Sequence, residues 1–143
     1  MDKFANFDKS NFPIIKVNFN KTIKDYKQYQ QFERDWLSCY MNSKEFIFLF
    51  DTTNVGFVNP QYAYYLSNFI YKLKNELKFD LLKYSIIKVA NNYIKHLLNI
   101  TFMIQSPVAP VYLVEKDIDM DNLVNDIENK KIIKDNNIFY ISN

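Results

Sequence analysis

The chain has 143 residues, 18 basic and 16 acidic, and it is 48% hydrophobic and 17% aromatic, with one glycine, one histidine and one cysteine. That apolar content supports a packed core and is far from the signature of disorder, and the length points to a single domain over 1–143, with its core at 12–130 and a tail at 131–143. A net charge of +2 with scattered lysines speaks against a basic nucleic-acid footprint, and Gly56 alone cannot build a phosphate-cradling loop.

Residues 12–19 alternate from Ile15 onward, with Ile15, Val17 and Phe19 on one face, which is the period of a strand. The piece at 4–7 before it reads as an edge strand paired through the Lys9-Ser10-Asn11 turn. Thr22 and Asp25 then open a helix in a capping-box arrangement. Tyr29, Phe32, Trp36 and Tyr40 form its apolar stripe, while Gln28, Gln31, Asp35 and Ser38 fall away from it. Residues 46–50 (Phe-Ile-Phe-Leu-Phe) are apolar on both faces, the mark of a central parallel strand, and the run ends in Asp51-Thr52-Thr53-Asn54. Asn59-Pro60 is an N-cap followed by proline at the first helical position, and Ala63, Leu66, Ile70, Leu73 and Leu77 make the buried stripe of the helix that follows.

The spacing predicts a strand at 84–90 and a helix at 93–105 capped by Asn91 or Asn92 and closed by Ser106-Pro107. A fourth strand is expected at 108–114, and a last helix has Met120, Leu123, Val124 and Ile127 inward. Residues 138–141 are a terminal strand or a packed tail. Strands alternating with helices predict an α/β fold: one mostly parallel, mixed sheet of four or five strands with about four helices and right-handed crossovers.

The segment 48–63 (FLFDTTNVGFVNPQYA), an apolar strand ending in Asp and running into a helix start, resembles the STAS domain in its SpoIIAA-like, anti-sigma-factor-antagonist branch. Residues 106–112 resemble the last core strand of that branch, and the element order agrees over about 12–127. The resemblance implies a non-enzymatic module that binds partner proteins at this helix N-terminus without a cofactor. It also implies a phosphorylated Asp-Ser-Ser/Thr-Gly at the helix start, where this chain has Asn59, Pro60, Gln61 and Tyr62; that switch is therefore not expected here.

Other candidates read more simply as structure. Thr52 and Thr53 are the hydroxyls nearest the missing phosphosite, but threonine after a strand-ending aspartate is turn chemistry. Asp51 has no aligned acid/base partner in Glu33, Asp35 or Glu45. His96 reads as a partly packed side chain with no serine nucleophile beside it, and Cys39 as a small helix-packing residue. A lone histidine and a lone cysteine fall short of the roughly four N/S ligands of a structural zinc site, so no metal, cofactor or catalytic residue is expected. The lone cysteine suits a reducing compartment, and the polar 1–11 segment lacks a signal h-region. A cytoplasmic location is therefore expected, or a virion if the source is a large virus.

The expected partner surface is the uncharged stripe Asn59, Gln61, Tyr64, Asn68 and Tyr71, which lies about 200° from the buried stripe. The third helix is apolar almost all round; neighbouring elements, a second copy of the chain or a lipid could cover it, and Ile100 and Met103 are its candidate contacts. The partner is expected to be another protein, with self-association and apolar-ligand carriage as alternatives and with no nucleic acid or transmembrane segment.

Overall fold

The computed structural model describes residues 2–143. One six-stranded mixed sheet runs in chain order, β1 (Ala5–Asp8), β2 (Ile14–Phe19), β3 (Phe46–Asp51), β4 (Leu82–Val89), β5 (Val111–Glu115) and β6 (Ile138–Ile141). β2 to β5 are parallel, and β1 and β6 pair antiparallel at the two edges. The count of four or five strands is thus corrected to six: the short edge piece and the terminal segment both join the sheet. The helices are α1 (Tyr26–Ser38), α2 (Gln61–Lys72), α3 (Asn92–Ile104) and α4 (Met120–Glu128). β3 lies in the middle with parallel neighbours on both sides, as its two apolar faces require.

Alternation sorts the strands into two layers. Phe46, Phe48 and Phe50 face α1, α2 and α3 on the front, together with Ile15, Val17, Ile87, Val89, Val111 and Leu113. Ile47 and Leu49 face α4 on the back, together with Tyr84, Ile86 and Val114. Between Phe46↔Leu82 and Phe48↔Ser85, one residue of β3 (Ile47) opposes two of β4 (Lys83 and Tyr84), a β-bulge. This bulge lets Leu82 and Ser85 share the front face across an odd spacing. Trp36 anchors the front, with ring centroids 5.1 Å from Phe48, 5.4 Å from Phe69 and 5.6 Å from Phe50, and its indole N–H donates to the Tyr40 hydroxyl at 3.1 Å.

Local chemistry sets the helix starts. Asp25 itself caps α1, accepting from the Gln28 N–H at 3.0 Å, so Thr22 is not the cap; its hydroxyl donates to the Phe57 carbonyl instead. Gln28 is buried, contrary to the outward position expected. Its amide accepts from Lys24 N and donates to the Asp2 carbonyl, so it ties the two segments that precede α1 to the helix. The expected Asn59 cap is corrected: Pro60 is the N-cap of α2 and the helix begins at Gln61, while Asn59 Oδ1 accepts from Gln61 N at 3.0 Å from one position further out. The end of α2 widens into a π-helical segment, Leu73–Leu77, closed by Lys78 at φ 54°. The wider turn breaks the stripe: Leu73 is fully buried, but Leu77 is exposed.

Candidate functional site

The uncharged stripe lies where the sequence places it. Asn59, Gln61, Tyr64, Asn68 and Tyr71 are all exposed, Tyr64 at 61% and Tyr71 at 48%. The packing between α2 and α3 explains why. Ala63, Ser67 and Thr101 are small or short and are buried where the two helices meet, and the Ser67 hydroxyl lies 2.7 Å from the Ala63 carbonyl and 3.3 Å from that of Thr101. Close approach at these residues leaves the larger Tyr64 and Tyr71 outside the seam.

On α3, Ile94 and Thr101 are buried, Leu97, Leu98, Ile100 and Phe102 are half-buried, and Met103 is 85% exposed. Neighbouring elements therefore cover most of this apolar helix, and Met103 and Ile104 remain open. Of the two secondary contacts, Met103 is fully presented and Ile100 partly so. His96 is exposed and not partly packed, because it falls on the wheel opposite Leu98 and Ile94.

One exposed aromatic outside the stripe is missed by the sequence reading. Phe57, in the link between β3 and α2, is 65% exposed and stacks on Tyr93 at 5.7 Å and 13°. The link is firmly tied: Gly56 N donates to the Lys21 carbonyl, Asn91 Nδ2 to that of Val55 and the Tyr93 hydroxyl to that of Val58. The backbone on both sides of Phe57 is thus fixed. Its only sequence signal is an aromatic residue within a turn-rich link, and the anchors come from segments far along the chain.

The turn residues are fully engaged. The Thr52 hydroxyl is buried and donates to the Lys88 carbonyl at 2.6 Å, and Asp51 Oδ1 accepts from both Thr53 N and Thr53 Oγ1. The carboxylates do not converge. Asp51 ends β3 on the back face, and Asp35 sits on α1 over the front, with Lys3 Nζ 3.3 Å away. Glu33, also on α1, lies next to Tyr29, and burial raises its carboxyl pKa. Glu45 is exposed ahead of β3. Cys39 is buried, and burial pushes its thiol up to about 11. Among the described residues, no three His, Cys, Asp or Glu side chains gather as a metal-ligand set.

Two concavities complete the molecule. A polar crevice on the back is lined by Lys16, Asn18, Asp51, Lys88 and the start of α4 at Asp119 and Asp121. An apolar cavity of about 150 Å³ lies on the front between the sheet and the helices. Both are built across strand register and were not foreseen.

No protein-family model and no curated protein matches this chain. Fold and site together define an α/β protein with a helical front layer and a ridge of exposed aromatic and amide side chains. No helix among the described residues is long and apolar enough to cross a membrane.

Proposed function

We propose that the chain is a non-enzymatic protein-interaction module of STAS-like design, docking through the ridge of α2 and the link before it. The observation that carries this reading is the exposure of Tyr64 and Tyr71 on the same stripe of α2 as Asn59, Gln61 and Asn68, with Phe57 also exposed in the link before the helix. Aromatic anchors surrounded by neutral hydrogen-bonding groups, with charge depleted at the centre, are what separate interface cores from ordinary surface. The partner's complementary surface is accordingly neutral, with pockets for aromatic rings. Ile100 and Met103 extend the contact onto α3.

Catalysis has less support, since the carboxylates are scattered and His96 stands alone on an exposed face. A photo-crosslinking residue placed at Tyr64, with one at Lys83 as control, identifies the partner, or a second copy of the chain. The Tyr64→Ala/Tyr71→Ala double variant should then bind that partner about tenfold or more weakly, with unchanged melting. Parental affinity in the double variant, or equal crosslinking from Lys83, sinks the reading.

A further inference from the structure

The two edges of the sheet are not alike. β1 carries Asp8 and is flanked by Lys3 and Lys9, charges of the kind that keep an edge strand from pairing with another chain. β6 reads Ile138-Phe139-Tyr140-Ile141, without charge or proline, and Phe139 and Tyr140 are both exposed. Register decides which of its backbone groups are free. Glu115 N donates to the Asn137 carbonyl at 3.1 Å, so the bonded pairs of this antiparallel ladder are Glu115–Asn137, Leu113–Phe139 and Val111–Ile141. The N–H and C=O of Ile138 and Tyr140 therefore point away from β5. Ile138 N agrees with this, since it donates to the Asp135 carbonyl outside the ladder. The Ile138 carbonyl and both backbone groups of Tyr140 stand at the open edge, and Ser142 N continues the row.

We propose that β6 pairs antiparallel with β6 of a second copy of this chain, about a two-fold axis at Tyr140, joining the two sheets into one. The strand is complementary to itself, and this names the occupant. In that register the N–H and C=O of Tyr140 exchange bonds with those of the second copy's Tyr140. Each Ser142 N–H meets the other copy's Ile138 carbonyl, and Ile138 N, already bonded within its own chain, is left out. On the front, Phe139 falls opposite Ile141 of the other copy, twice over. On the back, Tyr140 falls opposite itself. It ends a row in which the rings of Tyr84 and Tyr112 lie 6.0 Å apart and those of Tyr112 and Tyr140 5.1 Å, and the pairing carries that row across the axis. Aromatic–aromatic and aromatic–β-branched pairs are those that stabilise antiparallel neighbours. Pairing β6 with β1 of another copy would bring Asp8 and its flanking lysines to an apolar strand, in a head-to-tail contact that repeats without closing. The two-fold contact closes. It is also small, so the dimer is reversible. α2 crosses between β3 and β4 in the middle of the sheet, so this edge is separate from the docking ridge.

Sedimentation velocity of the full chain should show a monomer–dimer equilibrium that moves toward dimer as concentration rises. Tyr140→Lys sets two like charges across the axis and should weaken the dimer about tenfold or more, and Tyr140→Glu should do the same. A mixture of these two variants should regain the dimer, which also shows that both are folded. Tyr140→Cys places two thiols on Cα atoms about 5.5 Å apart, within the span of a disulfide, and should crosslink under air oxidation. Ser142→Cys lies opposite Ile138 in this register and should not crosslink, and Cys39 is buried. The Tyr64→Ala/Tyr71→Ala variant should dimerise like the parent, so failure of the docking surface and failure of the edge are told apart. A monomer at every concentration, species that grow past the dimer, a dimer indifferent to Tyr140→Lys, a mixture that stays monomeric, or equal crosslinking from Ser142→Cys overturns the proposal.

Discussion

The two faces of the sheet are built from the same strands yet differ in kind. The front is a broad aromatic layer in which Phe32, Trp36, Phe46, Phe48, Phe50 and Phe69 contact one another across α1, α2 and β3. The back is a smaller, mainly aliphatic patch under α4 flanked by the tyrosine row Tyr84, Tyr112 and Tyr140, and on its other side Asn6, Asp8, Lys16 and Asn18 leave β1 and β2 polar. Because strand side chains alternate, one sequence can place a thick core on one side and a half-solvated surface on the other. β3 is apolar from Phe46 to Phe50 because it lies under both layers, a place it shares with β4, which sends Ile87 and Val89 to the front and Tyr84 and Ile86 to the back. The front, although larger, is also the side with the cavity: large rings leave gaps that smaller aliphatic side chains close.

If the front carries most of the stability, truncations should rank by layer. Trp36→Ala should cost about 3–5 kcal/mol and Leu123→Ala on the back about 2–4 kcal/mol, both read by urea denaturation followed by circular dichroism. A larger loss at Leu123 would reverse the comparison and make the α4 layer the stronger one.

Alkaline pH tests the same asymmetry through buried acids. Burial raises Tyr29 and Tyr40 on the front, Tyr40 to about 12, and also raises Tyr84 on the back, where Glu128 adds to the effect. Each of these groups keeps its proton in the folded chain above the pH at which the unfolded chain loses it. Stability is therefore full below the ordinary values and falls as pH rises, beginning near pH 9.0 through Cys39 and near pH 10.0 through the tyrosines. The slope is about 1.4 kcal/mol per pH unit for each such group. Tyr40→Phe should lower stability at pH 8 by losing the Trp36 bond, yet flatten the decline between pH 10 and about 12. An unchanged slope would show that Tyr40 ionises in the folded chain as it does in the unfolded one.

Much of this architecture is legible in the residues. The five-residue apolar run of β3 and the aromatic stripe of α1 depend on local periodicity, and each lies where its pattern puts it, while the Asn-Pro signal places the start of α2 to within one residue. The outward tyrosines of α2 follow from the same wheel. What was not legible depends on distant partners. Gln28 is drawn inward by backbone groups of Lys24 and Asp2, Phe57 is fixed by anchors from Lys21, Asn91 and Tyr93, and the cavity depends on how α2 and α3 sit over the bulged β4. β1 and β6 are both read as strand candidates, but with only four residues each neither has enough of a period to fix the count at six.

The smallest expected effect sharpens the comparison most finely, because it asks which layer opens alone. Asp25 caps α1 by accepting from one N–H, and Asp119 caps α4 by accepting from two, those of Asp121 and Asn122. Removing either side chain should cost about 1 kcal/mol, a range typical of N-cap losses. The consequences should differ in reach. α1 is bound into the aromatic layer through Phe32 and Trp36, so weakening it weakens the whole front. α4 rests on the back through Leu123 and Val124, with Met120 and Ile127 only half-buried, and can separate from a sheet that stays folded. In native-state hydrogen exchange, Asp25→Ala should raise exchange about fivefold across the slowest amides of β3 and β4. Asp119→Ala should do so only within α4. If Asp119→Ala also speeds exchange in β3, the two layers open as one unit and the division between them is only one of composition.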